Sequence, residues 1–420
     1  MNISKCKYLI IGGGASGLMF ANTKKNDDII LLEKENELGG YCRTIYQDGF
    51  VWDYAGHFFH FANEDIKNFF RSKISDSDLV LREKITKIFY KDLVIDFPFQ
   101  TNIHQLDKEE FIDCLYDLFF KNESEHYNSF LSMLYGKFGT SITDKFLRPY
   151  NEKLYACDLN LLDQNAMGRF FPYADLTKII RNFKSEFQDS YNSTFLYPRR
   201  GAKVFIDALA EDISSKLISV GESVISINVK DKIVTTNKRN ISYQFLINSM
   251  PFNSLLESIV DINYKDIINT LSWNKVLVLN LGFDKASKYN DIHWSYFPEK
   301  EYNFYRVGFY NNILGDERLS LYVEIGFSPN EYINVDEQLR LAILGLKKSG
   351  IIDEHKVISY IPIIMDPAYV HVDNKLDSIK DNIKESLSER GVYTIGRYGD
   401  WKYCSIEDSM LDAIKISQEI

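Results

Sequence analysis

Six residues near the N-terminus, Gly12-Gly13-Gly14-Ala15-Ser16-Gly17, have the types and spacing that hold a pyrophosphate. In a G-x-G-x-x-G pattern, Gly12 permits a tight turn and Gly14 lets the backbone approach the phosphates, while Gly17 lets the next helix pack close to its strand. Ala15 and Ser16 open that helix, whose free N–H groups and dipole favour negative charge. Glu33, about twenty residues on, can accept from ribose hydroxyls, and Lys34 stands beside it. The chemistry these residues support is binding, and the ligand they predict is a dinucleotide.

The elements that must position them follow from the apolar pattern. Tyr8–Ile11 is a short apolar run, a helical stretch extends from Ala15 to about Lys25, and Ile29–Leu32 reads as a second buried strand closing at Glu33. Segments around Phe50–Trp52 and Ile88–Phe97 look extended, with turns at Gly49 and Asp92. From about His104 to Phe187 the periodicity turns helical, as in Glu109–Phe120 and Asn128–Phe138. Further helices are expected over Gly201–Leu217, Val335–Lys348 and about Ser409–Ile420. Short strands are expected at Val224–Val229, Ile233–Thr236 and Gln244–Asn248, and a one-faced sheet over about Trp273–Gly326.

Composition limits what such a chain does. Its 420 residues suffice for two or three domains, and 29 Phe with 27 Tyr give an aromatic excess suited to holding sugars or flat rings. A net charge of −10 without a basic run argues against nucleic acid as the main partner; an anionic small molecule would need arginines gathered locally. No stretch approaches the ~18 apolar residues of a membrane span, and the N-terminus does not read as a signal peptide. Five scattered cysteines fit neither a disulfide framework nor a metal site, so no metal and a cytoplasmic location are expected.

Beyond Glu33 the chain has the form E-x(5)-G-G-x-x-R, with Gly39, Gly40 and Arg43. This resembles the second fingerprint of flavoproteins in the amine-oxidase and pyranose-mutase superfamily, where the glycine pair lets the chain fold over the dinucleotide and the arginine meets its phosphates. The resemblance implies FAD rather than NAD. Later patches narrow it. Trp52-Asp53-Tyr54-Ala55-Gly56-His57-Phe58-Phe59-His60, Asp96-Phe97-Pro98-Phe99, Arg148-Pro149-Tyr150-Asn151-Glu152-Lys153-Leu154-Tyr155 and Phe195-Leu196-Tyr197-Pro198-Arg199-Arg200-Gly201 resemble, in order, segments of the UDP-galactopyranose mutases. So do His293–Glu299 leading to Phe304-Tyr305-Arg306-Val307, and Gly396-Arg397-Tyr398-Gly399-Asp400-Trp401-Lys402-Tyr403 followed by Asp408-Ser409-Met410. Asp408-Ser409 also reads as a helix N-cap.

The fold that this resemblance implies is α/β: a Rossmann-type FAD-binding domain interrupted by a helical insert and a mixed or antiparallel sheet that forms the substrate domain. The expected parts are 1–96, 191–255 and 356–420 for FAD, 97–190 for the insert and 256–355 for the substrate sheet. The FAD set gains Gly56, His57, Val224, Gly396, Arg397, Asp408, Ser409 and Met410. The reaction implied is interconversion of the pyranose and furanose forms of a UDP-galactose-like nucleotide sugar for cell-surface polysaccharide. Reduced FAD would be the nucleophile at the anomeric carbon, and an external reductant such as NAD(P)H would maintain it. Arg200 and Arg306 would hold the diphosphate, Tyr296, Tyr369 and Tyr403 would donate to phosphate or sugar, and His57 would support the flavin because histidine titrates near neutrality. Tyr155 for tryptophan, and Ala55 and Ala202 for glycines, depart from the family and leave the sugar and the nucleotide open. An oxidase or dehydrogenase of the protoporphyrinogen-oxidase or amine-oxidase type would share the FAD set and remains the alternative.

Overall fold

Strand Ile3–Ile11 is buried on both faces from Tyr8 onward, and its alternate residues enter two cores. Tyr8 and Ile10 pack with helix Ala15–Thr23 and the last helix, while Leu9 and Ile11 face Phe252, Leu255 and Trp401 on the other side. A strand covered on both faces has no polar alternation, which is why the sequence shows a continuous apolar run. The description covers residues 3–59, 61–184 and 193–420 of a computed structural model, so His60 lies outside it.

The first sheet runs Val224–Asn228, Ile233–Thr236, Asn240–Asn248, Ile3–Ile11, Ile29–Glu33, Ile218–Val220, with Val392–Thr394 added beside the end of Asn240–Asn248. Ile3–Ile11 pairs in parallel with both Ile29–Glu33 and Asn240–Asn248, as a doubly wound dinucleotide domain requires. The second sheet runs Val357–Met365, Lys275–Phe283, Ser320–Phe327, Arg306–Phe309, Trp294–Tyr296, Thr86–Tyr90, Leu93–Asp96. It is mixed: every pairing is antiparallel except that of Trp294–Tyr296 with Thr86–Tyr90.

Two corrections to the expected boundaries follow from this pairing. Thr86–Tyr90 and Leu93–Asp96 leave the FAD segment for the substrate sheet, and so does Val357–Met365, whose register against Lys275–Phe283 is fixed by shared apolar faces. In Lys275–Phe283, Val276 and Val278 face the helical insert, and Leu277, Leu279 and Leu281 face helix Val335–Lys348. Each such side chain, fully buried, contributes about 1.5–3 kcal/mol.

The insert consists of helices Lys108–Phe119, Phe130–Ile142, Arg148–Tyr155 and Leu176–Asn182. The helix expected over Gly201–Leu217 is shorter, Lys203–Ala210, because Asp212–Ser214 break it before strand Ile218–Val220. The last helix, Ile406–Glu419, starts earlier than expected. Ser405 is its N-cap and Asp408 closes a capping box, so Asp408 is not itself the cap.

Candidate active site

The two glycine motifs meet at one place. Gly12 has φ of 102°, and its N–H donates to Leu32 O at 2.8 Å, which turns the chain sharply out of the strand. A side chain at Gly17 would place Cβ 2.0 Å from Gly12 O, so helix and turn touch backbone to backbone. Gly39 N–H donates to Gly13 O at 2.8 Å, and a Cβ at Gly40 would lie 3.6 Å from Gly14 Cα. Nothing lies within 4 Å of where a Cβ of Gly14 would stand, and no side chain caps the helix that Gly14 starts. The cradle is therefore open where phosphates would approach.

Glu33 receives Gly13 N–H at 2.8 Å on one carboxylate oxygen and Glu35 N–H at 2.9 Å on the other, which fixes its orientation at the cavity wall. Arg43 stacks over the Tyr54 ring at 4.6 Å and donates to Gly40 O at 2.8 Å. These residues line a cavity of about 1450 Å³. That exceeds the ~300–1,000 Å³ of a usual small-molecule site and leaves room for a second ligand beside a dinucleotide. Of the expected FAD set, Gly12, Gly14, Ala15, Ser16, Glu33, Lys34, Gly39, Gly40, Arg43, Gly56, His57, Val224, Arg397 and Ser409 line it.

Gly17, Gly396, Asp408 and Met410 do not reach the wall and act from behind it. A Cβ at Gly396 would come within 2.1 Å of Ser16 Oγ, so Gly396 lets the last helix approach the first. Met410 is fully buried in the core between those helices. Asp408 accepts two bonds from Arg169, at 2.7 and 2.8 Å.

The cavity continues from the glycine cradle past His57 into a second arm between the insert and the second sheet. His57 Nδ1 bonds Ala55 O at 3.1 Å, so that nitrogen carries the proton and Nε2 is left as an acceptor. Burial, with Arg397 and Arg306 nearby, pushes the imidazole down to about 4. His57 is thus a neutral, fixed tautomer at pH 7, where the sequence suggested a group titrating near neutrality.

Arg306, on strand Arg306–Phe309, stands at the junction. Its Nε and Nη2 donate to the two carboxylate oxygens of Glu324, at 2.7 and 2.6 Å. Glu324 is 1% exposed, on the neighbouring strand at the residue directly opposite. Burial alone would lower the Arg306 pKa; Glu324 reverses that and holds it well above its usual value. Arg397 differs. It has no carboxylate within ion-pair distance among the described residues, its Nε is buried without a partner, and its guanidinium lies 4.8 and 5.0 Å from the Tyr403 and Tyr369 ring centres. Such a cation is stabilised by ring faces; apart from a long bond from Nη1 to Cys404 O at 3.5 Å, it has donors, Nε among them, that a ligand could use.

The three expected tyrosines gather here. Tyr369 and Tyr403 stack at 6.0 Å, and the Tyr296 hydroxyl accepts from Trp294 Nε1 at 3.0 Å. With Arg306, Tyr150 and Asn151 they line a side chamber of about 140 Å³. Burial raises the Tyr296 and Tyr403 hydroxyls, the latter to about 12, so both stay protonated donors. The Asn151 Oδ1 in this chamber is buried without a partner.

Arg200 is a correction. It lies exposed on the turn after strand Thr194–Pro198, its carbonyl accepts from Tyr46, and its side chain lines neither cavity. The turn points outward because Gly201 and Ala202 bend the chain inward instead: Ala202 N–H donates at 3.0 Å to Asp53, a carboxylate with no exposure that also accepts from Thr44 Oγ1 at 2.6 Å and Tyr197 at 2.7 Å. Burial pushes Asp53 up to about 6 against those three donors.

Sequence reasoning missed Arg169, which lines the cavity, and Glu324. Nothing in their local pattern marks them. Lys84, His104, Gln105, Lys178 and Asn182, which line the far arm, went unmarked for the same reason.

Comparisons with known proteins follow the same outline. Residues 10–72 match the NAD(P)-binding Rossmann-like domain family. A UDP-galactopyranose mutase of Mycoplasma genitalium is 25% identical over 186 residues, 40% of this chain and 44% of that protein. One of Mycoplasma pneumoniae is 23% identical over 181 residues, 40% of this chain and 45% of that one. The matched region thus spans less than half the length of these curated relatives. A solved reduced UDP-galactopyranose mutase superposes with a TM-score of 0.92 at 24% identity, over 99% of this chain and 95% of that one. A protein of Exiguobacterium sp. 255-15, named as a candidate protoporphyrinogen oxidase, superposes with a TM-score of 0.77 at 17% identity, over 100% and 99%. The likeness to the UDP-galactopyranose mutases is present in sequence and in fold, and no helix among the described residues is long and apolar enough to cross a membrane.

Proposed function

We propose that this chain is an FAD-dependent mutase that interconverts the pyranose and furanose forms of a nucleotide-diphosphate sugar. One observation carries the reading: the dinucleotide cradle opens, past His57, directly into an arm that holds a carboxylate-locked arginine, an arginine without an ion pair among the described residues, and the tyrosines Tyr296 and Tyr403. An amine substrate, itself a cation, has no use for two guanidinium groups at the junction. A diphosphate does.

The residues present fit FAD. The open face of Gly14, the uncapped helix N-terminus and the Gly39–Gly40 pair suit its pyrophosphate, and oriented Glu33 suits its ribose. When bound and reduced, FAD supplies a nucleophilic nitrogen for the anomeric carbon. The protein then has three tasks. Arg397 and Arg306 hold the diphosphate while it is detached and until it returns, and Tyr296, Tyr369 and Tyr403 donate to its oxygens or to the sugar. His57, with its proton fixed on Nδ1, offers Nε2 as an acceptor to a sugar hydroxyl or to reduced FAD. Phe97, Phe170 and Phe171 wall the junction and limit water. An external reductant such as NAD(P)H keeps the cofactor reduced, and the product would serve as a furanose donor for surface polysaccharide.

The test is direct. The purified protein, reduced with dithionite, is incubated with a panel of nucleotide sugars, and products are resolved by chromatography. A furanose product from at least one of them is expected. No conversion of any, together with turnover of an amine or a porphyrinogen in air, would replace this reading with the oxidase alternative.

A further inference from the structure

Lys153 has an unusual setting for a lysine. Its ammonium donates to three main-chain carbonyls, Phe297 O at 2.7 Å, Glu299 O at 2.8 Å and Phe304 O at 2.8 Å. It forms no ion pair with any carboxylate among the described residues. All three carbonyls belong to the loop that joins strand Trp294–Tyr296 to strand Arg306–Phe309. That loop therefore begins one residue after Tyr296 and ends just before Arg306.

The helix carrying Lys153, Arg148–Tyr155, is itself fixed. A Cβ at Gly326 would come within 2.1 Å of Lys153 O, so the helix backbone rests on the strand that bears Glu324. Asn274 Nδ2 donates to Leu154 O at 2.6 Å, and His371 Nε2 bonds Tyr155 O at 2.9 Å, which ties off the carbonyl end. The helix also presents Tyr150 and Asn151 to the side chamber. One rigid element thus contributes to the chamber wall and, through one ammonium, gathers the loop between its two other principal groups. The loop is also held by main-chain bonds, Phe297 N–H to Tyr305 O at 3.0 Å and Tyr305 N–H to Glu324 O at 3.0 Å, and farther from the chamber by Asn303 Nδ2 to Gln338 O at 3.1 Å, Lys91 N–H to Glu299 Oε2 at 3.1 Å and the Lys348–Glu301 ion pair.

We propose that Lys153 is a positioning residue of the substrate site: Tyr296 and Arg306 stand opposite each other across the antiparallel pair of their two strands, and Lys153, by closing the 297–304 loop onto its helix, fixes that pair against Tyr150 and Asn151. This rests on the nucleotide-sugar reading, since the ligand that feels the spacing is the diphosphate. Carbonyl acceptors hold a charged donor more strongly than a neutral one, so an isosteric apolar replacement frees the loop without emptying the space.

Lys153→Met and Lys153→Gln, prepared as flavin-loaded proteins, test the assignment with UDP as the probe. Both are expected to retain stoichiometric FAD, and Lys153→Met to bind UDP at least tenfold more weakly, with Lys153→Gln between it and the parent. Amide hydrogen exchange should rise in 297–306 and stay unchanged in 396–403, a pattern that a general loss of stability does not produce. If the parent binds UDP and both variants bind it equally well, the assignment is overturned while the functional reading stands. If the parent does not bind UDP, the functional reading falls, and this assignment with it. Failure of both variants to fold would make Lys153 a residue of domain folding and would also overturn the proposal.

Discussion

Glu324→Gln isolates what the carboxylate does for Arg306. In the parent, two charge-assisted bonds at 2.7 and 2.6 Å neutralise a guanidinium at the junction, and Glu324 has 1% exposure. Breaking a buried ion pair by removing one charge costs about 3–5 kcal/mol, because the other charge stays uncompensated. Glutamine keeps one acceptor, worth about 1 kcal/mol, so a loss of about 2–4 kcal/mol is expected. With about 2.1 cal/mol/K of unfolding entropy per residue, a chain of this length loses roughly 1 °C of Tm per kcal/mol if it unfolds as one unit. The flavin-loaded variant should therefore melt about 2–4 °C lower by calorimetry. The more telling measurement is the rise in Tm with saturating UDP. If Arg306 meets the diphosphate, the ligand supplies the missing charge, and the stabilisation by UDP should be larger in the variant than in the parent. Arg306→Ala should abolish that gain in either background. An unchanged Tm would show that the pair is well solvated, and a smaller UDP effect in the variant would show that Glu324 itself binds the ligand; either result refutes the reasoning.

Three further outcomes follow from other parts of the site. Asp53 is raised by burial from 3.8 to about 6, so its favourable contribution is complete below about pH 3.8 and lost as pH rises through 6. At about 1.4 kcal/mol per pH unit, the stability of Asp53→Asn relative to the parent should rise by roughly 2.4 kcal/mol between pH 4 and 7 in urea titrations, and a pH-independent difference would count against a buried carboxylate there. Arg397→Ala should lose at least tenfold in UDP affinity by isothermal titration, as a charged bond of about 1.5–3 kcal/mol implies, while Arg200→Ala should match the parent; the reverse order would restore Arg200 to the site. Gly17→Ala forces a Cβ to within 2.0 Å of Gly12 O, and the protein should purify without flavin absorbance; full flavin occupancy would mean that the helix and turn can separate at little cost.

What the sequence carried and what it did not divide along a physical line. The G-x-G-x-x-G turn was legible because its function is local: a glycine with φ of 102° and a strand-to-helix reversal are written into adjacent residues. Helix Val335–Lys348 was legible to the residue because its apolar face repeats at helical spacing and Asn334 caps it. The allocation of Thr86–Tyr90 and Val357–Met365 was not, because a short apolar strand looks the same in either sheet and only the pairing partner decides. The arginines show the same contrast more sharply. Arg306 was found through its neighbours, but Glu324, which sets its charge environment, lies eighteen residues away in sequence and directly opposite it across a strand pair. Arg200 sits in a recognisable segment, yet the buried Asp53 draws the following turn inward through Ala202 N–H and leaves Arg200 on the outside. A cation enters a site only where the backbone aims it. That direction is decided by a carboxylate almost a hundred and fifty residues earlier in the chain, so a motif match can name the segment and still assign the wrong arginine.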